Sequence, residues 1–156
     1  RQGKKINGRK RHIVTDTLGL LIVVMVTSAA LQDRDGGRLV LERAKMKMPS
    51  MVLVWADGGY AGKLLAFAHH RFRILVEIIK RTDKRPTFEV LPRRWVIERT
   101  NSWLMQTRRL ARDYKRLPKH SEAMIKWTMI GLMTRRLAPG PGRRPWQPKP
   151  ATEPPT

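Results

Sequence analysis

Residues 51–62 read MVLVWADGGYAG, and this stretch decides how the rest of the chain is interpreted. Short apolar runs bounded by turn residues are typical of buried strands, so a strand is predicted at 51–55. Gly58 and Gly59 allow the chain to turn sharply directly after Asp57. The stretch therefore predicts a strand that ends in a carboxylate, at the edge of an α/β sheet where ligands bind.

The composition indicates a folded domain with a polyanionic partner. The chain has 156 residues, of which 41% are hydrophobic, and that is enough for a core. Lys and Arg number 33 against 12 Asp and Glu, a formal net charge of +21. This excess favours nucleic acid as the partner, because neutralised phosphates release counterions; a solvated basic surface is the alternative. The chain contains no cysteine, which excludes disulfides and thiolate metal sites.

The two ends of the sequence differ in composition from the middle. Residues 1–12, RQGKKINGRKRH, predict a basic N-terminal arm that contacts phosphates, with a frayed tail as the alternative. Its candidate DNA-binding residues are Lys4, Lys5, Arg9, Lys10 and Arg11. Residues 138–156 are Pro-rich and are predicted to be disordered. No signal peptide is expected, and the apolar run at 20–30 is too short for a membrane span, which needs roughly 20 residues.

A β-hairpin is predicted near the start, where two extended runs, 12–15 and 20–27, flank a loop containing Asp16 and Gly19. The second run is apolar on both faces and should lie inside a sheet. Asp16 is expected to stabilise the turn through a local side-chain bond rather than to act as a catalytic acid.

Further elements alternate along the chain. Helices are predicted at 33–45, 60–71 and 121–137, the first capped by Asp33 or Asp35 and the last largely buried. A strand is predicted at 74–79, and a short extended segment at 88–91.

Residues 93–115, RRWVIERTNSWLMQTRRLARDYK, lack Gly and Pro and predict one continuous helix. Its core-facing stripe is Val96, Thr100, Trp103, Thr107, Leu110 and Tyr114. Glu98 lies on another stripe with Arg94 one turn earlier, and an ordinary ion pair worth ~0.2–0.5 kcal/mol is the simple interpretation. The helix is strongly basic and could lie along a phosphate backbone. Its further candidate DNA-binding residues are Arg99, Arg108, Arg109 and Arg112.

Asp57 and Glu98 are the candidate catalytic acids, although nothing in their spacing alone brings them together. If they meet, their hard carboxylate oxygens suit Mg²⁺ or Mn²⁺. Two such ions can clamp the attacking and leaving oxygens of a phosphodiester, so phosphoryl transfer on nucleic acid is the natural reaction class. The alternatives are a non-catalytic nucleic-acid-binding protein with structural acids, and a ribonuclease H-like nuclease acting on branched DNA or hybrids.

Four blocks in order resemble the C-terminal part of bacterial DDE insertion-sequence transposases, the group that includes insertion sequence five. The blocks are NGRKRHIVTDTLGLL, QDRDGGRLVLERA, WADGGYAG, and LPRRWVIERTNSWL followed by RRLARDYKR. The resemblance runs from about residue 3 to 137. It implies an α/β, ribonuclease H-like catalytic domain at 13–137, with a mixed sheet flanked by helices. In that family three acids hold Mg²⁺ (or Mn²⁺), cut at the element's ends and drive the freed 3′-hydroxyl into target DNA.

The resemblance assigns roles to individual residues. Asp57 matches the second acid and metal ligand, Glu98 the third, and Arg94 an Arg that precedes that Glu near the DNA or the site. It also implies DNA as partner, both element ends and target, a homodimer, and a bacterial cytoplasmic, nucleoid-associated location.

Two departures from the family pattern matter. Met105 and Gln106 stand where the family has a basic residue, and no residue matches its first Asp. The family carries that Asp on a strand upstream of the GRKRH block. We therefore expect a truncated domain that lacks its first central strand, is inactive alone and needs an upstream transposase fragment to supply the first Asp.

Overall fold

The computed structural model of the protein describes residues 8–79, 95–112 and 115–138. Three of the predicted DNA-binding residues, Lys4, Lys5 and Arg94, lie outside the described residues. So do the extended segment predicted at 88–91 and all but the first residue of the Pro-rich tail.

The first two strands form the predicted hairpin. Strand β1 (Arg9–Thr15) pairs antiparallel with β2 (Leu21–Ser28), with Ile13 opposite Val24. Strand β1 begins at Arg9, so the last four residues of the predicted basic arm belong to the sheet. Asp16 stabilises the turn as predicted, because its Oδ1 accepts hydrogen bonds from the N–H groups of Leu18 and Leu20 at 2.9 and 2.8 Å.

Helix α1 (Asp33–Lys47) follows the hairpin and crosses one of its faces. Its N-cap is Gln32, and no side chain caps the helix, so the prediction of an Asp cap was wrong. Asp33 and Asp35 lie instead in the first turn, where negative charge still complements the helix dipole.

A parallel strand pair comes next. Strand β3 (Leu53–Ala56) leads into a short 3₁₀-helix (Gly58–Tyr60) and helix α2 (Lys63–Phe72), and β4 (Leu75–Ile78) returns beside β3. Parallel strands need a crossover connection of this kind. Leu41 of α1 joins the core that α2 and β4 form, so α1 connects this unit to the hairpin.

Three helices complete the described chain: α3 (Trp95–Met105), α4 (Arg108–Ala111) and α5 (Pro118–Leu137). The prediction of one continuous helix over 93–115 was wrong, because Thr107 has extended backbone angles and caps α4. Leu104 and Leu110 are both fully buried in the same core. Six residues apart on a straight helix, they would point about 120° away from each other. The break lets both leucines reach one core.

The hairpin lies between two layers of helices. Side chains alternate along a strand, so Lys10 and His12 face α1 whereas Arg9 and Arg11 face α4 and α5. The α1 side is packed by Val23, Met25, Val40 and Ala44. The opposite side is packed by Val24, Val26, Leu104, Leu110, Ile125 and Met129. This confirms the prediction that β2 is buried on both faces.

Helix α5 is less buried than predicted. Only Ser121, Ile125 and Met129 are buried, while Trp127 is 70% exposed and Ile130 49% exposed. Within the described part of the chain, α5 contacts the hairpin, α3 and α4, and these leave one side of it uncovered.

The α/β class with flanking helices is confirmed, but the described strands form two small sheets rather than one mixed sheet. One sheet is the antiparallel β1–β2 pair and the other is the parallel β3–β4 pair. Each of the four described strands has a single partner, so β1 and β3 each keep an edge without a strand beside it. None of the helices in 8–79, 95–112 and 115–138 is sufficiently long and apolar to cross a bilayer.

Candidate active site

Asp57 occupies the position that the sequence predicts, directly after β3 at the start of the glycine turn. Its Oδ1 accepts a hydrogen bond from the Gly59 N–H at 3.0 Å, and its backbone carbonyl accepts one from the Tyr60 N–H at 3.2 Å. Asp57 is exposed. The turn thus holds the carboxylate at the end of the strand while leaving it accessible to a ligand.

A hydrogen-bond chain connects this turn to the hairpin. The Tyr60 hydroxyl lies 2.9 Å from His12 Nδ1, and His12 Nε2 lies 3.0 Å from Thr27 Oγ1. The Thr27 hydroxyl also lies 3.4 Å from the Ser28 carbonyl. Both ring nitrogens of His12 are therefore hydrogen-bonded, one to the Tyr60 hydroxyl and the other to the Thr27 hydroxyl.

Burial keeps the two titratable members of this chain, His12 and Tyr60, uncharged. His12 is 1% exposed, and desolvation lowers its pKa below 6.5, with Asp33 raising it and Lys10 lowering it by smaller amounts. Burial raises the pKa of Tyr60 to about 12, and the nearby charges of Asp33 and Asp57 act in the same direction. At neutral pH, Tyr60 and His12 are therefore both uncharged.

Asp33 is the site residue that the sequence interpretation missed. Its Oδ1 forms an ion pair with Lys10 Nζ at 3.1 Å. A Cβ built on Gly59 would lie 3.2 Å from Asp33 Oδ2 and 3.2 Å from Asp57 Oδ1, so the two carboxylates flank this glycine. The sequence suggested a helix cap for Asp33. Lys10 and His12 are two residues apart on one strand and therefore point to the same face. This spacing was the sequence pattern that could have indicated a polar site here.

Glu98 lies in the first turn of α3 and is exposed. The helix is fixed to the hairpin turn two residues later, where the buried Thr100 hydroxyl donates to the Gly19 carbonyl at 2.7 Å. Gly19 has a φ of +80°, and a Cβ there would stand 2.7 Å from Thr100 Oγ1. A glycine is thus required at this point by both the backbone conformation and the close approach.

Arg99 lies in a stack of aromatic rings beside Glu98. Its guanidinium is 4.1 Å from the ring centre of Trp95 and 4.9 Å from that of Trp103, and Arg136 covers Trp103 at 4.3 Å. Arg99 Nη2 also donates to the Leu18 carbonyl at 2.7 Å. These contacts place the side chain of Arg99 between the aromatic rings of α3 and the hairpin turn.

The hairpin is therefore the common support of both candidate acids. The turn after Asp57 is hydrogen-bonded to it at His12, and the helix of Glu98 is hydrogen-bonded to it at Gly19. That the two carboxylates share one metal site stays a prediction. In the part of the chain that the structure describes, no three Asp, Glu, His or Cys side chains are grouped to hold a metal ion.

The predicted DNA-binding residues that the structure describes fall into two groups. In β1, Arg9 donates to the Arg116 carbonyl, Lys10 to that of Leu31 at 2.8 Å and Arg11 to that of Leu110 at 2.9 Å. These side chains, like Arg99, join elements of the fold. The second group is exposed on and just after α4: Arg108, Arg109 and Arg112.

Both candidate acids and the predicted DNA-binding residues fall within one family match. The family model of the transposase DDE domain matches residues 1–133. The chain belongs to the DDE transposase family. The resemblance seen in the sequence blocks is thus confirmed at family level, and the family acts on DNA in transposition. No curated protein and no solved structure matches this transposase domain significantly.

Proposed function

We propose that this transposase domain binds DNA and contributes Asp57 and Glu98 to a Mg²⁺- or Mn²⁺-dependent site for strand cleavage and strand transfer. The element is an insertion sequence of the type that includes insertion sequence five. The observation that carries the proposal is the family match over both acids. Their attachment to one hairpin supports it.

The residues present fit a hard divalent cation. Asp57 presents an exposed carboxylate whose orientation is set by the Gly59 N–H, and Glu98 presents a second one on a helix fixed by Thr100. Carboxylate oxygens are the ligands that Mg²⁺ and Mn²⁺ prefer. When bound, such ions activate the nucleophile and stabilise the leaving oxygen of a phosphodiester.

The basic surface would supply DNA affinity. A net charge of +21 attracts the phosphate backbone, and Arg108, Arg109 and Arg112 form an exposed arginine cluster on and just after α4. Lys4, Lys5 and Arg94 are proposed as further contacts with DNA. Phosphate contacts of this kind position the DNA without reading its sequence.

We propose that a further transposase segment supplies a third carboxylate to this site. Among the described strands, β1 and β3 each have an edge to which a further strand could add by backbone hydrogen bonding. Action as a homodimer on paired element ends is part of the same proposal.

Mn²⁺ binding tests the assignment of the acids. The unmodified protein should bind Mn²⁺, and Asp57→Asn and Glu98→Gln should each abolish most of that binding. Asp35→Asn and Glu42→Gln are matched controls, because both residues are exposed acids on α1. Equal Mn²⁺ affinity in all five proteins would contradict the proposal. DNA binding that survives both changes, without any Mn²⁺ binding, would favour a non-catalytic DNA-binding protein.

A nicking assay on an element end with Mn²⁺ tests the need for a partner. Addition of a transposase segment that carries the third carboxylate should produce nicking, and Asp57→Ala should abolish it. Robust nicking by this chain without that segment, lost in Asp57→Ala, would show that the segment is not needed.

A further inference from the structure

We propose that Tyr60 and His12 are positioning residues that set where the Asp57 carboxylate lies relative to the hairpin. The inference rests on the proposed function for the role of Asp57. The connection itself is a property of the fold and can be measured without any transposase activity.

The need for such a connection arises from the sheet topology. Strand β3 pairs only with β4 among the described strands, so no backbone ladder fixes the end of β3 against the hairpin. Helix α1 packs on both units and also contacts the glycine turn, with Asp33 against Gly59 and Gly37 against the Tyr60 ring. Among the described residues, the bond from Tyr60 to His12 adds a direct hydrogen bond between the glycine turn and β1.

Tyr60 provides this connection because it contacts both the glycine turn and the hairpin. Its backbone N–H bonds to the Asp57 carbonyl, and its hydroxyl bonds to His12 at the centre of β1. The Tyr side chain has only two rotatable bonds, so anchoring its hydroxyl also limits the movement of the turn. A Phe would fill the same space without the hydroxyl that anchors the ring.

His12 is itself held in a single orientation. Thr27 Oγ1 bonds Nε2 and the Tyr60 hydroxyl bonds Nδ1. Gly36 lies against the imidazole edge and Gly37 against the Tyr60 ring, so α1 closes over both rings. The chain Tyr60–His12–Thr27 thus presents a fixed hydrogen-bond partner to a hydroxyl that comes three residues after Asp57.

Distance measurements between two spin labels test this directly. The chain has no cysteine, so Thr17→Cys in the hairpin turn and Ala61→Cys after Tyr60, both at exposed positions, give a cleanly labelled background protein. In this background, Tyr60→Phe should broaden or shift the distance distribution, and Thr27→Val should do so less strongly. Ser121→Ala is the control, because it removes a buried hydroxyl on the opposite face of the hairpin and should leave the distribution unchanged.

The outcomes separate positioning from general stability. A folded Tyr60→Phe protein with the background distribution would overturn the inference. If Tyr60→Phe does not fold, an unchanged distribution in Thr27→Val overturns it instead. A distribution broadened as much by Ser121→Ala as by Tyr60→Phe would show a loss of stability rather than of positioning.

The Mn²⁺ affinity of the same variants provides the second measurement. Residues that orient a metal ligand typically contribute about 10- to 100-fold to affinity, and Tyr60→Phe should weaken Mn²⁺ binding by about that factor. Unchanged affinity in Tyr60→Phe would overturn the positioning role. Should the unmodified protein show no Asp57-dependent Mn²⁺ binding, the proposed function fails, and the distance measurement still decides whether Tyr60 fixes the turn.

Discussion

Gly36 of α1 lies directly against the imidazole of His12. A Cβ at this glycine would stand 2.3 Å from both Cε1 and Nε2 of the ring. Real Cβ atoms do not approach other atoms so closely, so α1 can cross the hairpin at this depth only because residue 36 has no side chain. The ring cannot move aside easily, since it is buried and both its nitrogens are hydrogen-bonded.

Gly36→Ala should therefore destabilise the protein, although alanine is the better helix former. Overpacking of this kind costs about 1–3 kcal/mol, which urea unfolding would measure as a lower midpoint. Gly131→Ala is the matched control in α5, where a Cβ would meet nothing within 4 Å. It should raise stability by about 0.5–1 kcal/mol. Equal effects at the two positions would contradict the close contact with His12.

Thr100→Val should loosen α3 from the hairpin turn. The change keeps the shape of the side chain but leaves the Gly19 carbonyl without its buried donor, and an unsatisfied buried group costs about 1–3 kcal/mol. Thr134→Val on the exposed side of α5 should change the free energy of unfolding by no more than about 0.5 kcal/mol. Chemical denaturation of both proteins checks the contrast. A Thr100→Val protein as stable as the unmodified one would mean that the hydroxyl does not hold the helix.

The stability of the protein should fall on acidification below pH 6.5 because of His12. Burial lowers the pKa of His12 in the folded protein, so the unfolded chain binds the proton more readily. The stabilising effect is complete above 6.5 and is lost as the pH falls through the folded-state pKa. Urea unfolding at a series of pH values between about 7 and 5 would show this decline.

The control for that measurement uses the other histidines. His12→Gln should remove most of the decline over this pH range, whereas His69→Gln and His120→Gln, at exposed positions, should retain it. An identical pH profile in His12→Gln and the unmodified protein would assign the acid sensitivity to other groups.

Arginines that bind DNA should be separable from those that hold the fold. Arg108→Ala and Arg109→Ala should leave stability unchanged and each reduce the slope of log affinity against log salt by about 0.9, as expected for the loss of one phosphate contact. Arg11→Ala should instead lower stability by about 1–2 kcal/mol, because its bond to the Leu110 carbonyl is lost. DNA binding titrated at several salt concentrations, together with unfolding curves, checks both roles. A loss of stability in Arg108→Ala and Arg109→Ala, or an unchanged stability in Arg11→Ala, would contradict the assignment.

Local patterns predicted the elements of the fold more reliably than their arrangement. The hairpin with its Asp16 turn, the strand that ends at Asp57 and the glycine turn all result from residues that are neighbours in the chain. The features that were predicted wrongly depend on tertiary packing. No Gly or Pro in the sequence marks the break at Thr107. The break occurs because Leu104 and Leu110 pack into the same core. The exposed side of α5 likewise depends on which layers lie next to it.

The candidate site shows the same division. Asp57 and Glu98 were chosen from their sequence context, and the structure fixes the element of each to the hairpin. Asp33, His12 and Tyr60 were not identified as a group, because their proximity depends on α1 crossing β1 at Gly36. Two arginines of the basic run that were predicted as phosphate contacts, Arg9 and Arg11, donate to carbonyls of distant elements. A count of charges along the chain cannot distinguish these two uses.

The alternation of side chains along β1 has a consequence for how this domain tolerates mutation. Lys10 and His12 point to one layer and Arg9 and Arg11 to the other, so each layer contacts every second residue. Insertion or deletion of a single residue between His12 and the turn at Asp16 would exchange the two sets and disconnect both layers at once. A substitution in this strand alters the contact to one layer, whereas a change in its length by one residue should abolish the folded domain.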